Sequence, residues 1–545
     1  PGGIYLRAES IDLGGTGFSA ATNIALVSSL AAGSAAGVGG ITVNGPLTAQ
    51  NISITARGTG FTQRSSDSAT GRINAANSLV MNLQDAGATF GSDVQSPNIT
   101  ITLDPSSNVA NAAARSIVTT SNGVNSGRLI SDFMILSLSN DVAGGGADGT
   151  VDIQSQVQKM RLTTASNLGV LNYGITINNS LSGANKFTLD TRMSSTGDIA
   201  VTNTGAGGIA LSTDVNTAGG LALTAVGSKL EVNRTLTSGR SIALRSDSGI
   251  SVSGAVSLTN NAAGDIVIES GTVNAPGNAG DVAINSPVTS SSNRGVIVSA
   301  YNGGITSTRN SSGVPTARIA SDNTVTLRAS GSIDVGTTAH VLRASTTGNA
   351  GGGANNITID DNMGAGVGLI VNNVTTQNGS VSITSLNGVR IDGLSAGGAG
   401  DVTVTSKQGD IKLASSIVAD GNTVTLNAFS YNDDGVTFRA IGRITGEAAA
   451  APVAAAISWT AGGVFDGNDA VSADLYRNIP TISAYRLNPG DISFTADQST
   501  TLQSIKTTAG DIVVTATAGS IAATSIDRKS TRLNSSHEWI SRMPS

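Results

Sequence analysis

Gly-Asp pairs recur along this sequence, and the carboxylate of each aspartate could serve a chemical function. Seven Gly-Asp pairs occur, and each is followed by alternating aliphatic and polar residues. The pairs are Gly197-Asp198, Gly264-Asp265, Gly280-Asp281, Gly400-Asp401, Gly409-Asp410, Gly490-Asp491 and Gly510-Asp511. Carboxylate oxygens can coordinate calcium, transfer protons in catalysis or accept hydrogen bonds from the main chain. The pairs therefore pose three alternatives, namely a metal site, a catalytic site and a structural corner.

Calcium is the first alternative, because calcium-binding β-rolls repeat the nonapeptide G-G-x-G-x-D-x-U-x. The nearest match, Gly144-Gly145-Gly146-Ala147-Asp148, occurs once and has the wrong spacing. We favour the structural corner, in which Gly supplies the positive φ of a sharp turn and Asp bonds nearby backbone N–H groups. We therefore expect no metal and no cofactor.

Catalysis is the second alternative, since β-helical enzymes that act on polysaccharides use clustered carboxylates on one outer face. The best acidic pairs are Asp360-Asp361 and Asp433-Asp434, and both adjoin Gly or Asn as turn residues do. The chain has two histidines, and His340 is the one that lies within the repetitive region. A single histidine forms neither a triad nor a metal cluster, so we interpret it as an exposed residue and predict that the protein is not an enzyme.

The spacing of the glycines predicts a repeat of about 20–21 residues, which is within the range of known solenoid repeats. Gly379, Gly400 and Gly421 follow one another at equal intervals, and Gly490 precedes Gly510 by nearly the same interval. A shorter second strand begins part of the way through the repeat, as at Gly409 after Gly400. Repeats of this length, each with two or three short strands, are typical of one coil of a β-solenoid.

Period-two alternation within each strand indicates which side chains enter the core. Val402 and Val404 face one side of their strand, and Asp401 and Thr403 face the other. Successive coils pair their strands in parallel, and such connections are expected to be right-handed. The predicted fold is therefore all-β, a right-handed parallel β-helix (β-solenoid).

Composition supports a thin aliphatic core and excludes several other classes. Aromatic residues make up 3% and charged residues 12%, the latter about half the usual share. The chain contains no cysteine, which excludes a disulfide scaffold and a cysteine-based metal site. The net charge is −6 and no basic stripe occurs, so we expect no nucleic-acid partner.

The repeat predicts four segments. Residues 1–441 form a solenoid with irregular stretches near 62–77 and 104–127, and 442–489 form a non-repeating excursion or a bend. The solenoid continues over 490–527. Residues 528–545 lack the repeat and resemble a translated adapter or vector end, or else form a disordered natural terminus.

The start of the chain predicts an internal fragment. Pro1-Gly2-Gly3-Ile4 already has the strand pattern, and the sequence contains neither a signal peptide nor an apolar run long enough for a transmembrane helix. We therefore expect no transmembrane segment in this fragment.

The repeated Gly-Asp-Ile/Val-x-Val/Ile strands resemble filamentous haemagglutinin-type adhesins and large autotransporter passengers. The resemblance covers most of residues 1–527 and lies in the general pattern of the degenerate repeat. The family's secretion domain and membrane barrel are not recognisable. It implies a Gram-negative surface or secreted protein that is exported through an outer-membrane transporter. It also implies weak, multivalent binding to host-cell or bacterial glycans or proteins, with avidity supplying the affinity.

Two other functions stay open at this point. One is a purely structural stalk of a larger exoprotein, and the other is a β-helical polysaccharide-active enzyme. We expect the most specific binding surface in the excursion at 442–489.

Overall fold

The computed structural model describes most of the chain up to residue 528. The described residues are 2–15, 17–29, 39–64, 72–84, 86–104, 116–120, 127–138, 149–164, 173–181, 183–192, 194–195, 197–259, 264–271, 280–290, 293–348, 354–363, 368–415, 417–428, 444–446, 453–461, 481–486, 492–496, 500–507, 511–516 and 519–528. They contain strands, turns and bends but no helix, which confirms the predicted all-β class.

The chain divides into two compact units, Pro1–Asn323 and Thr324–Ser545, with the division falling inside one strand, β32 (Arg318–Ala329). The other strands of the first unit are β1 (Ile4–Ala8), β2 (Ser10–Leu13), β3 (Phe18–Ser19), β4 (Asn23–Ser28), β5 (Gly40–Val43), β6 (Leu47–Arg57), β7 (Phe61–Gln63), β8 (Ile73–Gln84), β9 (Ala88–Phe90), β10 (Val94–Gln95), β11 (Asn98–Asp104), β12 (Ile117–Thr119), β13 (Leu129–Leu138), β14 (Thr150–Thr164), β15 (Gly174–Asn179), β16 (Phe187–Arg192), β17 (Ser194–Ser195), β18 (Ile199–Thr204), β19 (Ile209–Leu211), β20 (Val215–Thr217), β21 (Leu221–Val226), β22 (Leu230–Val232), β23 (Leu236–Ser238), β24 (Ile242–Ser246), β25 (Ile250–Val252), β26 (Val256–Leu258), β27 (Ile266–Ser270), β28 (Val282–Ile284), β29 (Val288–Ser290), β30 (Val296–Ala300) and β31 (Ile305–Ser307). Those of the second unit are β33 (Ile333–Thr346), β34 (Ile357–Asp361), β35 (Leu369–Thr376), β36 (Val381–Ile391), β37 (Leu394–Ala396), β38 (Val402–Leu413), β39 (Ile417–Ala428), β40 (Ile444–Gly446), β41 (Val453–Ala461), β42 (Thr481–Arg486), β43 (Ile492–Ala496), β44 (Thr500–Thr507), β45 (Ile512–Ala516), β46 (Ile521–Ala523) and β47 (Ile526–Arg528).

Each unit is a parallel β-solenoid, as predicted. From β15 to β29 of the first unit three strands form one coil, and each strand pairs in parallel with the strand three places further along, as β18 does with β21 and β21 with β24. In the second unit long strands bend at a corner, and β34 pairs in parallel with β36. The right-handed sense of the coils remains a prediction from the sequence.

Coil lengths vary more than the sequence predicts. Ile199 pairs with Leu221, and Leu221 pairs with Ile242, so these coils are close to the predicted length. The coils in which Ile266 pairs with Val296 and Ile99 pairs with Met134 are much longer. Because the paired strands keep their register, the additional residues lie between strands and leave the stacking intact.

The core follows the predicted alternation. Inward side chains such as Ile199, Val201 and Leu223 are at most 2% exposed, and the residues between them face outward. Val, Ile, Leu and Ala supply most of the core, with Tyr173 among the few large rings that are fully buried. The thin aliphatic core expected from the composition is therefore present in the described residues.

The predicted segment boundaries stay predictions. Within 62–77 the described residues include the end of β7 and the start of β8, and within 104–127 they include β12. Within 442–489 they form β40, β41 and β42, and β41 pairs in parallel with β39 and β42. Residues 529–545 and the remainder of 442–489 lie outside the described residues.

Candidate functional site

Four aspartates of the Gly-Asp pairs accept hydrogen bonds from the main chain of the next coil. Oδ1 of Asp198 accepts the N–H of Gly220 at 2.7 Å, and Oδ1 of Asp401 accepts that of Thr423 at 3.0 Å. Asp265 and Asp281 do the same, with donors Gly295 and Gly304, both at 2.8 Å. In three cases donor and acceptor immediately precede paired strands, and Thr423 lies within β39 next to Val424, the partner of Val402. These carboxylates therefore connect one coil to its neighbour.

Serine and asparagine take the place of aspartate in other coils. In the second unit the Oγ of Ser332 accepts the N–H of Asn356, and the Oδ1 of Asn356 accepts the N–H of Ser380. The Oγ of Ser380 in turn accepts the N–H of Asp401. Together with the bond from Thr423 to Asp401, these contacts form a continuous series that we call the corner ladder. The polar residue after each corner therefore stabilises stacking.

Four of the corner glycines are required for a different reason from the one predicted. Gly409 has positive φ, 148°, but Gly197, Gly264, Gly280 and Gly400 do not. A Cβ at Gly197 would meet the carbonyl oxygen of Tyr173, and a Cβ at Gly400 would meet that of Gly379. Close approach of the preceding coil, and not left-handed backbone, excludes a side chain at these positions.

Three of the fourteen predicted corner residues lie outside the described part of the chain, namely Gly490, Asp491 and Gly510. Asp511 is exposed, and Asp410 follows Gly409 on the outer side of the bent strand β38.

The acidic pair Asp360-Asp361 does not form a catalytic pair. Asp361 is 1% exposed and accepts hydrogen bonds from the Thr337 hydroxyl and the Ala339 N–H, both at 2.9 Å. Asp360 lies on the opposite face of the same strand, so the two carboxylates point in opposite directions. Asp433-Asp434 and the glycine-rich stretch ending at Asp148 lie outside the described residues.

His340 is half-buried on β33, whereas the sequence favours an exposed position. Its Nδ1 is buried and has no hydrogen-bond partner. Within the described ranges, no three His, Cys, Asp or Glu side chains come close enough to hold a metal ion.

The second unit carries an ordered polar surface that we call the threonine face. It consists of two outward columns, Thr358, Ser382, Thr403 and Thr425 in one and Asp360, Thr384, Thr405 and Asn427 in the other. Neighbouring members of a column are aligned across paired strands, about 4.8 Å apart, and the columns lie about 6.6 Å apart along each strand. All eight side chains are partly exposed, so their polar groups form a regular array that reaches solvent.

Charged side chains form a separate cluster in the first unit. Asp190, 2% exposed, lies between Arg161 at 2.7 Å and Arg192 at 3.1 Å. Burial alone would raise the pKa of Asp190, but the hydrogen bonds and charges of the two guanidinium groups lower it below its ordinary value. Arg161 and Lys159 also lie over the ring of Phe133. The cluster neutralises its own carboxylate, which indicates a structural role.

Comparison of the chain with protein families, curated proteins and solved structures finds no match. In the part of the chain that the structure describes, no helix is long and apolar enough to cross a membrane.

Proposed function

We propose that the protein is an adhesin-like β-solenoid, located at a bacterial surface or secreted, that presents a weakly binding polar surface many times over. The observation that supports this proposal is the register of the threonine face. Polar residues, six of them threonine or serine, occupy the same two outward positions in four successive coils.

Repetition matters because a single hydroxyl contact with a ligand is weak. Each hydrogen bond to a ligand replaces bonds to water, so its net contribution is only about 0.5–1.5 kcal/mol. Several such bonds made together by an extended ligand add up, since the later contacts form at high effective concentration. Glycans, cell-surface proteins and matrix polymers are ligands that are large enough to span several coils.

The proposed location is extracellular or at the outer membrane, with export through an outer-membrane transporter. The absence of cysteine suits export through an oxidising compartment. The repeated Gly-Asp-Ile/Val-x-Val/Ile strand pattern, which resembles that of filamentous haemagglutinin-type adhesins, supports the same assignment.

The proposal predicts that charge and bulk on the threonine face abolish multivalent adhesion. The test variant is T384K/T405K, which places two lysines in neighbouring coils of one column. Beads coated with the protein are counted on immobilised mannan, on cellulose and on fixed epithelial cells. We expect wild-type beads to adhere to at least one surface and the variant to lose most of that adhesion, because the lysine side chains separate the array from an extended ligand.

The matched control is T375K/S395K. These two residues also face outward in neighbouring coils of the second unit, on a different strand pair. Equal adhesion of wild type, variant and control would contradict a role for the threonine face. Absence of adhesion by the wild type on all three surfaces would instead favour the purely structural stalk.

A further inference from the structure

The first unit contains a polar groove with a volume of about 430 Å³. Its polar lining includes Asn74, Gln95, Asp132, Gln156, Gln158 and Asn185. The volume is in the range of pockets that hold small ligands.

Four paired strands position the lining of the groove. Asn74 of β8 pairs with Gln95 of β10, Gln95 with Ile130 of β13, and Ile130 with Gln156 of β14. These four residues therefore form one column across successive coils. Asp132 and Gln158 lie two residues further along β13 and β14, at a bend where the alternation of buried and exposed residues shifts by one.

Buried hydroxyl groups hold the bend in place. The Ser131 hydroxyl lies 3.0 Å from the carbonyl oxygen of Pro97 and 2.8 Å from that of Phe133. The Ser96 hydroxyl donates to the carbonyl oxygen of Asn98 at 3.0 Å. Both serines are at most 7% exposed. The floor of the groove is therefore preorganised, which lowers the entropic cost of binding a ligand.

The polar side chains of the lining are available to a ligand. Among the described residues, the carboxamides of Asn74, Gln95, Gln158 and Asn185 make no hydrogen bond to the protein. The Asp132 carboxylate likewise makes neither a hydrogen bond nor an ion pair there. This contrasts with Asp198 and the other corner aspartates, whose Oδ1 atoms are occupied by the next coil.

We propose that this groove binds an uncharged oligosaccharide. A carboxamide both donates and accepts hydrogen bonds, and so does each sugar hydroxyl, whereas the Asp132 carboxylate accepts from two hydroxyls and repels an acidic sugar. Ala76, Pro97, Ile130 and Leu181 supply apolar surface for the C–H faces of the rings. None of the described lining residues is a lysine or arginine, so the groove offers no counter-ion to an anionic ligand. The inference goes beyond the proposed adhesion, because the groove would bind its ligand even if the threonine face bound nothing.

The test measures binding of free trisaccharides to the intact protein by saturation-transfer NMR and titration calorimetry. The probes are cellotriose, maltotriose, mannotriose, triacetylchitotriose and, as the acidic comparison, sialyllactose. We expect saturable binding of at least one neutral probe and none of sialyllactose. Ala76→Trp should abolish that binding, because residue 76 is exposed on the wall and an indole fills the groove. Asp132→Ala should weaken it about tenfold.

Matched controls separate a loss of the site from a loss of fold. Ala222→Trp places the same indole on an outward position of β21, and Asp152→Ala removes an exposed carboxylate from β14 outside the groove. Both should bind as the wild type does, and so should T384K/T405K of the threonine face. Lack of binding by every neutral probe, undiminished binding in Ala76→Trp, or equal binding of sialyllactose would overturn the proposal. Loss of bead adhesion in T384K/T405K together with intact trisaccharide binding would show that the two surfaces act separately.

Discussion

A carboxylate that follows a corner glycine satisfies a main-chain N–H of the neighbouring coil. Asp198 illustrates the energetics, because its side chain is 65% exposed and its ion pair with Arg240, at 3.8 Å, lies in solvent. Water competes for both interactions, so each bond adds little by itself. The contribution of the Gly-Asp pairs to stability comes from their recurrence over many coils.

Asp190 differs from the corner aspartates because it is buried between two arginines. Its pKa is lowered in the folded protein, so its contribution to stability is fully present above the ordinary carboxyl pKa of about 4. The contribution is lost as the pH falls through the lower folded-state value. We therefore predict that Asp190→Asn destabilises the protein by about 2 kcal/mol at neutral pH and progressively less below about pH 4.

Urea unfolding of wild type and Asp190→Asn between neutral and strongly acidic pH measures this difference. Asp152→Asn is the control, because the Asp152 side chain is exposed and has no partner among the described residues. A difference between wild type and Asp190→Asn that stays constant as the pH falls would contradict the assigned charge interaction.

The glycine-aspartate corners show how far residue-level reasoning reaches. Alternation and spacing are enough to predict that Asp401 lies at a corner and bonds a backbone N–H. They do not reveal that the N–H belongs to Thr423 in the next coil, since the sequence does not state which coils are aligned. For the same reason positive φ is the wrong explanation for Gly400, whose restriction comes from the carbonyl oxygen of Gly379.

At the scale of strands, one inward position is occupied by a buried polar side chain in several successive coils. Asn179 and Asn203 occupy this position in the first unit, and Asp361 and Ser385 occupy it in the second. Asn179 donates to Oδ1 of Asn203 at 2.8 Å and accepts the Val157 N–H at 2.8 Å. We call these residues the inner corner column. Asn179, Asn203 and Asp361 of this column hydrogen-bond to main-chain groups that would otherwise be buried without a partner.

Asn179→Ala should destabilise the protein by about 2–3 kcal/mol, because it leaves buried polar groups of Val157 and Asn203 without a partner. Thermal and urea unfolding measure the change. The control is Asn178→Ala, which removes the same side chain from the outward position next to it. Similar effects of the two substitutions would contradict the structural role of the inner corner column.

The strands themselves could be predicted from the sequence, whereas the inner corner column and the groove could not. Period-two alternation assigns Ile175 and Ile177 to the core, but it assigns Asn179 to the same face without explaining why a carboxamide is buried there. The groove lies where the coils are unusually long, as in the coil that separates Gln95 from its partner Ile130. These insertions fall outside the repeat, so the spacing of the glycines contains no information about them.

At the scale of the whole molecule, the solenoid makes stability a property of neighbouring coils. Each strand pairs with the coil before it and the coil after it, as β21 does with β18 and β24. The stability of such a protein is approximately a sum of the terms for each coil and for each interface between coils. Damage to one coil should therefore remain local, which a globular domain with one shared core would not allow.

Hydrogen exchange can test this locality with two neighbouring glycines of the first unit. A Cβ at Gly197 meets the Tyr173 carbonyl oxygen, whereas a Cβ at Gly174 meets nothing within 4 Å. We predict that Gly197→Ala accelerates amide exchange in β15, β18 and β21, which stack at that corner, and leaves the second unit, Thr324–Ser545, at its wild-type rates. Gly174→Ala, the matched control, should leave exchange in both units unchanged. Faster exchange throughout both units in Gly197→Ala would contradict stability that is additive over neighbouring coils. Such a result would require both units to unfold together as a single cooperative core.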